Sequence, residues 1–243
     1  MARTPPIGLA NGASGVRRRP KDRKAQIARA SAEAFSALGY HGVSMEAIAS
    51  RVDISAAALY RHYASKYELF RDAVLNLGQQ LVDCTTDPDT DLVTEADARH
   101  ELRRLVAALT NTALANREAG GLYRWEARYL RGDDQGALDA QMRTVHQRIQ
   151  RPLIVLRPTL RSRERWTMST AVLSVVGSVV DHRAKLPAGQ IREVLADIVD
   201  TVLAADLPPL PDAADPIVGP APAPADTPRY EALLAESLRL FNQ

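Results

Sequence analysis

SMEAIASRVDISAAALYRHYASK, from Ser44 to Lys66, is the stretch whose reading decides the fold. Ser44 is an N-cap residue, and Met45, Ile48, Ala49 and Val52 follow at helical spacing, so a short helix buries one face and stops near Val52. Asp53 and Ile54 make a turn. Ser55 caps a second helix, in which Leu59 and Tyr63 face inward while Ala56, Ala57, Tyr60, Arg61 and His62 face outward or sideways. Ser65 with Glu68 three residues later is a capping box that opens the next helix. Two helices joined by a turn of about three or four residues form a helix-turn-helix, whose second helix enters the major groove of DNA.

These residues resemble the DNA-binding domain of TetR-family transcriptional regulators. That family carries an Ala-Gly-Val-Ser turn followed by a Leu-Tyr-x-His-Phe/Tyr-x-x-Lys run, and ALYRHYASK, from Ala58 to Lys66, matches the second part. The resemblance covers the first quarter of the chain and departs at two points. Asp53 stands at the usual turn glycine, where a left-handed backbone suits Gly best and Asp better than most residues. Ala56, Ala57 and Ala58 stand where polar residues usually open the reading helix; they can touch thymine methyls but cannot hydrogen-bond base edges. Specificity is therefore expected to lean on Ser55, on residues near Ser44 and on DNA shape. The resemblance implies that Tyr60, His62 and Lys66 meet phosphates. Lys66 is also placed for this by its helix N-terminus, where free N–H groups and the dipole attract anions.

Charge divides along the chain. Residues 1–75 hold twelve Lys/Arg against six Asp/Glu, while the whole chain is only +2, so a basic head precedes a mildly acidic body. Nearly half the residues are apolar, aromatics are few and alternating β-branched runs are scarce, which points to an all-α fold of one or two domains. A single Cys84 excludes an intramolecular disulfide and a cysteine-based zinc site. No signal peptide is evident, and the longest uncharged run, Trp166 to Val180, is too short to span a bilayer. The expected location is cytoplasmic.

Residues 1–16 read as disordered, and Arg17, Arg18, Arg19 and Lys21 follow. An isolated cluster of this kind is a solvated tail; directly before a helix-turn-helix it reads as an arm that lies along phosphates or enters the minor groove. The first helix is expected over about Asp22 to Leu38 with Gly39 as its stop, and the DNA-binding domain over 17–65. A helical body over 66–206 follows, with helices at about Lys66 to Cys84, Glu95 to Arg117, Gly136 to Leu156, Arg163 to Lys185 and Gln190 to Ala205, and a kink expected at Pro152. Between them lies GLYRWEARYLRGDD, Gly121 to Asp134. It allows two readings: an amphipathic helix that fills core, or a pocket wall in which Trp125 and Tyr129 line an apolar cavity and Arg128 or Glu126 fixes a polar end. The last two helices resemble in position and character the TetR pair that forms a four-helix interface with a second subunit. On that resemblance Val172, Val176, Val179, Val180, Val194, Ile198, Val199 and Val202 are expected at a homodimer interface.

Leu207 to Pro228 holds eight of the fifteen prolines and reads as a semi-rigid linker. Residues 229–243, RYEALLAESLRLFNQ, are either a terminal helix that docks on the body or the first helix again, since a shift of 206 positions pairs Arg229 with Arg23 and Phe241 with Phe35. The repeat is preferred, because RRRPKDRK, ALYRHY, EARYL and RYEALL resemble tandem TetR regulators of lipid and sterol uptake. The expected function is a repressor that binds a double-stranded operator and responds to an apolar small-molecule effector. No metal-ligand spacing, phosphate loop or nucleophile motif is present, so neither an enzyme nor a cofactor is expected. A second reading is a truncated module that dimerises with a fuller relative; binding of a palindromic operator by the homodimer separates the two.

Overall fold

The computed structural model describes residues 20–86, 92–181 and 186–207, with side chains from Arg23 onward. Arg17, Arg18, Arg19, the side chain of Lys21, most of the proline-rich segment and residues 229–243 lie outside the described residues. Among the described residues there are eight α-helices and no strand: α1 (Pro20–Gly42), α2 (Met45–Arg51), α3 (Ala56–Tyr60), α4 (Lys66–Cys84), α5 (Glu95–Ala115), α6 (Asp133–Leu156), α7 (Ser162–Asp181) and α8 (Ala188–Ala204). No helix among them is long and apolar enough to cross a membrane. The all-α expectation holds, and the helices begin and end within a few residues of their predicted bounds.

Caps set those bounds. Ser44, Ser55 and Ser65 each accept a hydrogen bond from the backbone N–H three residues on, at Ala47, Ala58 and Glu68. Thr94 and Asp97 close a reciprocal capping box at the start of α5. Asp53 takes the left-handed conformation at φ 52°, the backbone the family pattern reserves for glycine. Gly39, at φ 71°, breaks α1, as its sequence position predicts. The helix bounds of α6 run on through the buried Pro152.

Head and body share one core. Ile27, Phe35, Ile48, Leu59, Tyr63 and Phe70 from α1–α4 belong to the same buried cluster as Leu122, Leu130 and Leu138 from the body. Burial of side chains of this size stabilises by about 1.5–3 kcal/mol each. The described residues through Ala205 form one compact unit. Beyond α4, the body is a bundle of α5–α8 in which α5 touches α6, α7 and α8. Arginines distant in sequence satisfy the open carbonyls of two helix ends: Arg148 donates to the carbonyl of Val82 and, at 3.1 Å, to Thr85 Oγ1, and Arg157 donates to the carbonyl of Leu203.

The Gly121 to Asp134 stretch departs from a regular helix. Leu122–Glu126 forms a π-helical turn and Ala127–Tyr129 a 3₁₀ turn. The widened turn shifts the register, so the side chains that a 3.6-residue period would align on one face are split between two surroundings.

Candidate nucleic-acid interface

α3 is anchored by Leu59, which is wholly buried, so its opposite side is free: Ala57, Tyr60, Arg61 and His62 are exposed, with Tyr60 at 48%. Ala56 is partly buried and packs on the core, which removes it from the outward set. The hydroxyls of Ser44 and Ser55 accept from backbone N–H groups, which leaves each O–H proton able to donate to a phosphate oxygen. Arg23 Nη1 donates to the carbonyl of Val52 at 2.8 Å and so fixes the end of α2 before the turn.

Lys66 is anchored within the head. Its ammonium donates to the carbonyls of Tyr40 and Val43, both at 3.0 Å, and lies 4.6 Å from the centre of the Tyr40 ring. Those contacts tie the start of α4 to the end of α1. Two of the three ammonium donors are therefore engaged within the head.

The residues expected to line a cavity are placed otherwise. Glu126 Oε2 accepts from the backbone N–H of Tyr40 at 2.8 Å, and Tyr129 stacks on Tyr40 with ring centres 5.4 Å apart and meets His41 edge-on at 5.0 Å. Arg128 is exposed above Tyr129. Trp125 is 58% exposed; its indole N–H reaches Asp181 Oδ1 at 3.4 Å, and it edges an open polar cleft with Arg51, Arg117 and Asp181. None of the four lines the apolar cavity of the body. That cavity is small, with about 30 Å³ of room, and lies between α4, α5, α7 and the π-helical turn. Its wall includes Leu77, Leu109, Leu173 and Val176, with Thr112, Asn116 and Tyr123 as the polar members. Burial pushes the Tyr123 phenol above its ordinary range. Tyr123 was not singled out in the sequence because a regular period aligns Leu122, Trp125 and Tyr129 and leaves it aside.

The predicted subunit face also needs correction. Val172, Val176, Val179 and Val199 are at most 5% exposed within the single chain, where they hold α7 and α8 to the bundle. A side chain consumed by its own core has no surface to offer a partner. Val180 and Val202 are partly buried, whereas Val194 at 49% and Ile198 at 42% stand on the outer side of α8. Among the described residues no group of three or more His, Cys, Asp or Glu is placed to hold a metal ion.

Residues 27–73 match the family model described as bacterial regulatory proteins, tetR family. A curated relative, the HTH-type transcriptional activator FasR of Mycolicibacterium smegmatis, is 36% identical over 92 residues, which are 37% of this chain and 41% of that protein. The match thus spans well under half of the relative's length. Among solved structures, AibR in complex with isovaleryl coenzyme A and operator DNA is similar at TM-score 0.57 and 19% identity, with 72% of this chain and 97% of that one covered. FadR from Bacillus subtilis in complex with stearoyl-CoA is similar at TM-score 0.58 and 13% identity, covering 74% and 98%.

Proposed function

We propose that this chain, whose residues 27–73 match the model of tetR-family bacterial regulatory proteins, is a transcriptional regulator whose homodimer binds operator DNA and whose hold on DNA is loosened by an apolar acyl compound. The observation that carries the DNA reading is α3 itself: Leu59 is locked in the core while Ala57, Tyr60, Arg61 and His62 stand free on the other side. With alanines opening the helix, direct base readout is thin, and shape and phosphate contacts set much of the specificity. Two-fold symmetry presents two such helices about one DNA turn apart, with Val194 and Ile198 at the subunit contact. Where the operator overlaps a promoter the outcome is repression.

The effector reading rests on the chemistry of the cavity's lining, an apolar wall with few polar groups that suits an acyl chain once α4, α5 and α7 part to admit it. Two neighbours bound to acyl-coenzyme A esters support that class for a body of this fold. The ester releases DNA only to the extent that it prefers a head spacing unlike that on the operator. The test is fluorescence anisotropy on a duplex enriched by the protein from a random-sequence pool, titrated with stearoyl-CoA and isovaleryl-CoA. One of them should raise the DNA dissociation constant by about tenfold, a coupling of roughly 1.4 kcal/mol. Failure to enrich any sequence would overturn the DNA reading. Unchanged DNA affinity, with no ester retained in native mass spectrometry, would overturn the effector reading.

A further inference from the structure

Beside the shared core, the body holds the head by a hydrogen bond to a backbone amide. At the Gly39 break, where φ is 71°, the N–H of Tyr40 is taken by Glu126 Oε2 at 2.8 Å, a charge-assisted bond across 86 residues of sequence. A Cβ on residue 39 would lie 3.4 Å from the same oxygen, an ordinary contact, so it is the positive φ and not space that calls for glycine here. The Glu126 side chain is 13% exposed. The carbonyl of Tyr40 is held by Lys66 and its ring by Phe70 and Tyr129, so this residue is fixed from α4 and from the body at once. Glu126 rides on the π-helical turn that also carries Tyr123, three residues earlier, in the cavity wall.

We propose that Glu126 is the positioning residue of the DNA-reading head: its carboxylate sets the angle of α1–α3 on the body. The proposal rests on the DNA-binding reading and not on the acyl effector. Two observables separate this role from general stability. Spin labels at Glu46→Cys in the head and Asp139→Cys in α6, both exposed positions, on a Cys84→Ser background, report the head-to-body distance without DNA or effector. Glu126→Gln keeps an oxygen that can accept from Tyr40; Glu126→Asp keeps the charge but is one methylene short.

The unmodified residue and Glu126→Gln should give one narrow distance, whereas Glu126→Ala and Glu126→Asp should broaden it and weaken binding of the enriched duplex about tenfold. If Glu126→Ala does not fold, the Gln and Asp pair gives the same reading. A narrow distance in Glu126→Asp or Glu126→Ala, or a Glu126→Gln variant as broad as Glu126→Asp, would overturn the proposal. Should the protein enrich no duplex, the DNA reading falls, and the spin-label distances still decide whether Glu126 sets the head.

Discussion

The head and the body are built from the same kind of element but are held by contacts of very different reach. In the head, the residues that cap and turn the chain act within a few positions: Ser44 on Ala47, Ser55 on Ala58, Ser65 on Glu68, and Asp53 on its own backbone, with Arg23 reaching Val52 as the exception. In the body, Arg148 reaches back to Val82 and Thr85, Arg157 reaches forward to Leu203, and Glu126 crosses to Tyr40. Short-range chemistry can be read from a single sequence, because the partner sits at a fixed offset on a helix. Long-range chemistry needs the fold first. The two regimes meet at Tyr40 and Lys66, where a residue of the reading motif is spent on the joint.

The sharpest way to break this contrast is at α8, where neighbouring positions on one stripe face opposite ways. Val199→Asp puts an unpaired carboxylate into the bundle core, with an expected loss of more than about 4 kcal/mol, enough to remove most of the stability of an ordinary domain. Thermal unfolding followed by circular dichroism should show little cooperative transition. Ile198→Asp, one residue away and exposed, should keep its transition; on the proposed homodimer it should sediment as a monomer and the unmodified chain as a dimer. A folded Val199→Asp monomer beside an intact Ile198→Asp dimer would reverse the assignment of the two faces.

How far the sequence reaches follows from the same distinction. Helix order and bounds were legible because caps, glycine stops and the apolar period are local, and α3 could be oriented from Leu59 and Tyr63 alone. The cavity wall was not. The period of Leu122, Trp125 and Tyr129 presumes 3.6 residues per turn, and the π-helical turn breaks that premise, so Tyr123 enters the cavity wall while Glu126 and Tyr129 turn to the head. The α7–α8 pair failed for another reason. A stripe as wide as that of α8 is consistent with burial on one side or two, and periodicity cannot apportion Val199 and Ile198 between the chain's own core and a partner. Lys66 illustrates the limit of a motif: a family pattern fixes the residue type, while the hydrogen bonds of this chain fix its use.

Lys66→Ala sharpens the comparison at the joint. Loss of two ammonium-to-carbonyl bonds on partly buried groups should destabilise by about 1–3 kcal/mol in urea titration. The salt slope of DNA binding should stay unchanged, because the ammonium is already engaged; a slope lowered by about one unit would restore a direct phosphate contact. A smaller effect is expected at the turn. Asp53→Val should cost about 1–2 kcal/mol, since a β-branched residue resists the left-handed backbone, while Asp53→Gly should change the urea midpoint little, relief of strain being offset by a more flexible unfolded chain. Equal midpoints for Val and Gly would mean that the turn relaxes away from φ 52°.

The smallest effect belongs to the body and is read by pH. His146 on α6 stacks on Trp166 of α7, ring centres 4.2 Å apart, and its Nδ1 lies 2.9 Å from Ser169 Oγ. Ser169 gives its own proton to the carbonyl of Trp166, so its oxygen accepts, which assigns the proton of the neutral imidazole to Nδ1. Burial holds the His146 pKa below its ordinary 6.5, since desolvation penalises the imidazolium. Between the folded pKa and that of the unfolded chain, the unfolded state binds more protons, so stability rises with pH through this window and is lost as pH falls below about 6.5. Asp97 and Glu164 are held below their ordinary values by side-chain hydrogen bonds from Thr94 and Arg161, so their loss of stability has the same sign but falls below about pH 4.5. The urea midpoint should therefore decline from pH 7.5 to pH 5 in the unmodified protein, and His146→Phe, which keeps an aromatic ring over Trp166 but cannot titrate, should flatten the decline. Parallel curves for the two proteins would place the acid sensitivity of this window elsewhere than the α6–α7 contact.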